Sequence, residues 1–148
     1  MNMNKVISEF IEEKKIAVVG VSRTGKKFGN IIVKELAARG FEVYIIHPTV
    51  KSINGLQCYP DMESVKGIVS AVVIVVPPTN ALTVIAEAAN AGITKVWLQQ
   101  GSASPEVLSY AKELNLTCVS GKCILMYAGK VSGIHAFHRG INQLFRRY

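Results

Sequence analysis

The stretch IAVVGVSRTGKKFG, residues 16–29, decides the fold, because a short apolar strand runs directly into a loop rich in glycine and positive charge. The apolar part requires burial on both faces, which is typical of a strand in a parallel sheet covered by helices. The loop places Arg23, Lys26 and Lys27 among three glycines. Backbone amides and cations that follow a strand in this way indicate a site for an anion.

Working outward, short apolar runs alternate with segments of helical periodicity. The predicted strands are residues 16–19, 43–46, 71–76, 96–98 and 116–119, and the predicted helices are residues 4–14, 29–39, 61–66, 81–91, 105–114 and 135–147. This alternation predicts right-handed βαβ units. We therefore predict an α/β fold: a single Rossmann-like, doubly wound domain over residues 1–148, with a five-stranded, mainly parallel sheet and helices on both faces.

The charge balance indicates an anionic partner. The 148 residues include 17 Lys plus Arg against 10 Asp plus Glu, a formal net charge of +7. No run of five cations and no aromatic-rich basic stretch is present, so we predict no nucleic-acid partner. The apolar runs are too short to span a bilayer and the N-terminal pattern carries acids, which predicts no membrane association and a cytoplasmic protein.

The cysteines and histidines do not indicate a metal site. The three cysteines are odd in number and have no CxxC spacing, which argues against both a disulfide framework and zinc. His135 and His138 lie three residues apart with no acid or cysteine pair nearby, so we predict no metal ligand among them.

The glycine loop can be compared with two phosphate-binding patterns. Residues 20–27 resemble a P-loop, but Lys27 stands where a hydroxyl would hold Mg²⁺. The same residues fit GxGxxG with Ser22 at the middle position, but an NAD site also requires an acid after the second strand. That strand is followed by His47, Pro48 and, slightly later, Lys51. These residues favour a phosphorylated ribose, as in NADP or coenzyme A.

Five motifs occur in a specific order: VVGVS (18–22), IIHP (45–48), IVVPP (74–78), VWLQQG (96–101) and KCILM (122–126). Their order and spacing resemble the stand-alone CoA-binding domain family, which is related to the CoA-binding domain of the succinyl-CoA synthetase α subunit. The resemblance implies coenzyme A or an acyl-CoA as the cofactor and covers almost the whole chain. It departs from the family at residues 25–27, where stand-alone members often carry proline and arginine.

The resemblance implies that the loop after the first strand cradles the CoA phosphates, that Lys51 contacts the nucleotide end, and that the segments after strands three and four border the crevice. The predicted cofactor-binding residues are Gly20, Val21, Ser22, Arg23, Thr24, Gly25, Lys26, His47, Pro48, Lys51, Val76, Pro77, Leu98, Gln99, Gln100 and Cys123. Cys123 follows a lysine, which would favour a thiolate able to form a mixed disulfide with CoA, or it is simply a small apolar residue.

No nucleophile–base pair or converging carboxylate pair is recognisable, so we predict no catalytic residue and favour non-catalytic binding of CoA or an acyl-CoA. The alternatives are an NADP-binding oxidoreductase and an accessory subunit of an acyl-CoA synthetase. The apolar faces of the terminal helices are compatible with a homodimer and equally with a monomer.

Overall fold

The computed structural model describes residues 3–129, which alternate between strands and helices. The elements are α1 (Met3–Ile11), β1 (Lys15–Val19), α2 (Phe28–Ala38), β2 (Glu42–Ile46), β3 (Ser52–Ile53), β4 (Leu56–Tyr59), β5 (Ala71–Ile74), α3 (Pro78–Asn90), β6 (Lys95–Leu98), α4 (Pro105–Glu113) and β7 (Thr117–Ser120), with 3₁₀ turns at Met62–Val65 and Ile124–Met126. None of these helices is long and apolar enough to cross a membrane.

The strands form one sheet in the order β3-β4-β2-β1-β5-β6-β7. Every neighbouring pair is parallel except β3 and β4. From β1 the chain proceeds to β2 and then to β3 at the edge of the sheet, returns through β4 to the place beside β2, and crosses to β5 on the other side of β1. The strand order therefore reverses between β1 and β5, and open α/β sheets bind ligands beside such a reversal. The predicted α/β, Rossmann-like class is confirmed.

Helices cover both faces of the sheet, as predicted. Alternate residues of the central strand β5 point to opposite sides: Val73 belongs to the core under α1 and α2, and Val72 belongs to the core under α3 and α4. Trp97 is fully buried in the first core, where its ring lies edge-on to Phe10 with centroids 5.3 Å apart. Its indole N–H donates to the carbonyl of Lys122 at 2.9 Å, so this residue serves core packing.

Within residues 3–129 the sheet already has seven strands, so the prediction of five was wrong. The two missed strands, β3 and β4, form a short antiparallel hairpin that pairs in parallel with β2. Its turn is Asn54-Gly55, with φ of +52° and +78°. Asn-Gly is a strong two-residue hairpin signal, but the strands beside it are only two and four residues long and carry little periodicity of their own.

Three other element predictions can be compared with the structure. The start of α4 is as predicted, because Ser104 Oγ accepts from the backbone N–H of Val107 at 3.1 Å and proline follows the cap. Residues 61–66 contain a 3₁₀ turn rather than an α-helix, and the predicted strand 71–76 ends at Ile74. The predicted helix 135–147, with its two histidines, lies outside the described residues.

Candidate functional site

The carboxyl ends of six parallel strands lie in one row, which includes β4 because its last residue, Tyr59, pairs with Ile46. Val19 pairs with Ile46 on one side and with Ile74 on the other, Ile74 pairs with Leu98, and Leu98 pairs with Ser120. Neighbouring strands lie about 4.8 Å apart. The loops that follow these strands therefore leave the sheet side by side. All of the predicted cofactor-binding residues lie at this carboxyl edge or in its loops.

The loops after β1 and β5 pack directly against each other where the strand order reverses. Gly20 has a φ of +111°, and a Cβ atom there would lie 2.4 Å from the carbonyl oxygen of Val75. A Cβ atom on Gly29, in the first turn of α2, would lie 2.2 Å from the carbonyl oxygen of Gly20. Only glycine fits at either position. The start of α2 is thereby held against the end of β1.

Asn30 organises the loop between β1 and α2. Its side chain is buried, with 4% exposure. The amide oxygen accepts from the backbone N–H of Ser22 at 2.9 Å and from that of Lys27 at 3.3 Å, and the amide nitrogen donates to the carbonyl of Ser22 at 2.7 Å. Sequence reasoning missed this residue. The available signal was a polar side chain between Gly29 and Ile32 on the face of α2 that faces the core.

The tip of the same loop is a compact turn with its own hydrogen bonds. The N–H of Gly25 donates to the carbonyl of Ser22 at 3.1 Å. The N–H of Thr24 donates to Ser22 Oγ at 3.2 Å, and the two hydroxyl oxygens of these residues lie 2.8 Å apart. The loop thus has a defined shape, and residues 23–27 are exposed at its outer side.

The carboxyl edge is positively charged; Asp61, which follows β4 there, accepts from the backbone N–H of Ser64 and forms none of the ion pairs among residues 3–129. The loop segments 20–27, 47–51, 75–77, 99–104 and 121–123 contain no Asp or Glu. Within residues 3–129 the ion pairs are Arg39–Glu35, Lys66–Glu63 and Lys95–Glu13. None of them uses the exposed cations Arg23, Lys26, Lys27 and Lys51. In addition, α2 begins behind the loop with no acidic residue in its first turn.

His47 follows β2, one strand away from Gly20. Its backbone N–H donates to the carbonyl of Tyr59 at 2.8 Å, which extends the pairing of β2 with β4 by one residue. Its side chain is half-buried, and its Nδ1 accepts from the backbone N–H groups of Thr49 and Val50 at 3.2 and 3.1 Å. The imidazole therefore closes the turn after β2.

Lys51 lies at the β3 end of the carboxyl edge, beside the outermost strand of the sheet. Its carbonyl accepts from the N–H of Cys58 at 2.8 Å, which places it at the start of the β3–β4 hairpin. Three strand spacings separate this position from β1, roughly 14 Å. Pro48 is exposed in the intervening turn. Lys51 thus belongs to the same edge as the glycine loop but to its periphery.

The remaining predicted residues differ in their exposure. Val21 and Leu98 are buried, Val76 is half-buried, and Pro77 and Gln100 are exposed. Gln99 is 1% exposed; its Oε1 accepts from the N–H of Ile124 at 2.7 Å. Its side chain thus ties the end of β6 to the 3₁₀ turn that follows β7.

Cys123 is half-buried at the edge, and the Nε2 group of Gln99 donates to its Sγ atom at 3.4 Å. Burial raises the pKa of the Cys58 thiol, and it raises the pKa of Cys118 to about 11. These two thiols are therefore poor nucleophiles at neutral pH. A mixed disulfide at Cys123 stays a prediction.

A cavity of about 630 Å³ lies between α3 and α4, and none of the predicted cofactor-binding residues lines it. Its walls include Leu82, Ala86 and Tyr110, with Glu106 and Glu113. Two carboxylates in a groove without a cation disfavour a polyphosphate ligand. The carboxyl edge of the sheet is therefore the better candidate for an anion.

The chain is similar in sequence to a family of CoA-binding domains and to acetate–CoA ligases. Residues 14–128 match a family described as CoA binding domain. The ADP-forming acetate–CoA ligase of Methanocaldococcus jannaschii is 28% identical over 142 residues, which cover 90% of this chain and 19% of the ligase. The chain spans a fifth or less of the length of the acetate–CoA ligases it matches.

Solved structures show the same fold. A conserved hypothetical protein from Pyrococcus furiosus has 40% sequence identity and a TM-score of 0.71, covering 74% of this chain and 95% of its own. The dinucleotide-forming acetyl-coenzyme A synthetase 1 of Ca. Korarchaeum cryptofilum has 30% identity and a TM-score of 0.63, covering 72% of this chain and 25% of its own.

Proposed function

The chain belongs to the CoA-binding domain family, and from this premise we propose that it binds coenzyme A or an acyl-CoA at the carboxyl edge of its sheet, in a non-catalytic role. Coenzyme A carries a pyrophosphate and a ribose 3′-phosphate, roughly four negative charges in all. Such a ligand requires cations arranged along one surface, and the positive end of a helix adds to their effect.

The observation that carries this proposal is the uncompensated positive charge of an ordered edge. Four exposed cations lie in loops without a single carboxylate, and no ion pair among residues 3–129 uses them. The N-terminus of α2 adds the positive end of its dipole at the same place. Because Asn30 and the turn at residues 22–25 already order the loop, little conformational entropy is lost when a phosphate binds.

Isothermal titration of the purified protein with CoA, NADP and NAD tests the proposal. We expect CoA to bind most tightly in the titration. In a parallel thermal-denaturation experiment, CoA should raise the melting temperature of the protein more than NADP or NAD does. The affinity should fall as salt is added, because the contacts are ionic. Equal responses to the three nucleotides, or no response to any, would contradict the proposal.

A matched pair of charge reversals locates the site. Lys26→Glu lies in the glycine loop, and Lys34→Glu lies on the exposed side of α2; both change the net charge equally. Losing a charge-assisted contact costs about 1.5–3 kcal/mol, so we expect roughly tenfold or more weaker CoA binding for Lys26→Glu. Lys34→Glu should stay near the wild type. Equal losses in both variants would indicate only a general charge effect.

The ligase relatives favour a second candidate function, the CoA-binding part of an acyl-CoA synthetase. The observation in its favour is the 28–30% identity to such enzymes over most of this chain. Affinity purification followed by mass spectrometry tests it. A co-purifying synthetase subunit, together with ATP formation from acyl-CoA, ADP and phosphate, would support it. A protein that binds CoA without such a partner would leave binding as the function.

A further inference from the structure

His47 occupies the position from which dinucleotide-binding folds distinguish a ribose with free hydroxyls from a phosphorylated ribose. In those folds the residue after the second strand lies beside the ribose, and an acid there accepts hydrogen bonds from bare hydroxyls. The pairing of Val19 with Ile46 places His47 in the strand position next to Gly20, about 4.8 Å across the sheet. The group that occupies this position should therefore decide which ribose is accepted.

The turn after β2 determines which ring nitrogen of His47 carries the proton. Both turn amides, those of Thr49 and Val50, donate to Nδ1, so this nitrogen presents its lone pair. A neutral imidazole then carries its proton on Nε2. No residue among positions 3–129 is bonded to Nε2, although the ring is half-buried. The ring therefore offers an N–H donor that has no partner among these residues, one strand position away from Gly20.

From this geometry we infer that Nε2 of His47 donates to the phosphate of a phosphorylated ribose, and so determines specificity for the 3′-phosphorylated nucleotide. The inference rests on the proposed function and adds which part of the ligand His47 recognises, the ribose 3′-phosphate. A donor at this position suits phosphate oxygens. A carboxylate would instead repel them and suit an unphosphorylated ribose.

The variant His47→Asn tests the Nε2 donor by itself, because it removes that donor but keeps an acceptor for the amides of the turn after β2. The shorter asparagine side chain can still accept from the amides two and three residues on, as in an Asx-turn, but it has no group at the position of Nε2. Titrations with CoA and with 3′-dephospho-CoA form the matched pair of probes. We expect roughly tenfold weaker binding of CoA and less than twofold change for dephospho-CoA. The melting temperature without ligand should stay close to that of the wild type.

The outcomes distinguish the inference from the proposed function. Equal losses for both nucleotides, or no loss for CoA, would overturn the role of His47 while leaving CoA binding intact. If the wild type binds neither nucleotide, the proposed function fails and the inference fails with it. If His47→Asn does not fold, imidazole ¹⁵N spectra of the wild type decide: CoA should shift the Nε2 resonance and dephospho-CoA should not. Equal shifts would overturn the inference.

Discussion

Replacing Asn30 with alanine tests whether one buried amide holds the glycine loop in place. The substitution removes two hydrogen bonds to Ser22, of 2.9 and 2.7 Å, and a longer one of 3.3 Å from Lys27. A neutral hydrogen bond contributes about 1 kcal/mol, so two short bonds and one longer, weaker bond together contribute about 2–3 kcal/mol. The better helix propensity of alanine offsets about 0.7 kcal/mol of this. The net fall in the free energy of unfolding should be about 2 kcal/mol.

Urea denaturation followed by tryptophan fluorescence measures this change, because Trp97 is the only tryptophan and is fully buried. The melting temperature should fall by roughly 4–8 °C. Asn90→Ala is the control: it makes the same chemical change at the exposed end of α3 and should alter stability by less than about 0.5 kcal/mol. CoA binding should weaken in Asn30→Ala and stay unchanged in the control. Equal denaturation midpoints for the two variants would refute this account of the loop.

Two further predictions concern other parts of the fold. Alanine normally stabilises a helix relative to glycine, but Gly29→Ala should lower the melting temperature, because its Cβ would meet the carbonyl oxygen of Gly20 at 2.2 Å; a rise on thermal denaturation would contradict this packing. Burial raises the pKa of Glu13, but hydrogen bonds from Lys95 and Ser70 outweigh it and hold the pKa below its ordinary value of 4.5. The stability that Glu13 contributes is therefore present above pH 4.5 and lost as the pH falls through the lower folded-state pKa, so urea midpoints of Glu13→Gln should converge on those of the wild type in acid. A constant difference between them would exclude this linkage.

Much of the fold could be predicted because its signals are local. An apolar strand that ends in Gly20, and a helix that begins after Ser104, are each determined by a few neighbouring residues. Alternation of such segments predicts a parallel sheet, whose carboxyl edge carries the loops that lead from each strand into the next helix. The loop residues of the candidate site could be named for this reason. The hairpin around Asn54-Gly55 was missed because its strands are too short to show a period.

The sequence by itself determined the α/β class, the loops that meet at one edge and the excess of positive charge there. Only the tertiary structure decided how those loops are held and which groups remain available. The amide of Asn30 reaches back eight residues to the loop, and Gln99 reaches 25 residues onward to Ile124. Whether a lysine lacks an acid, or which nitrogen of His47 carries a proton, depends on what lies beside it in space. Neighbours along the chain do not specify such contacts, because folding brings distant residues together.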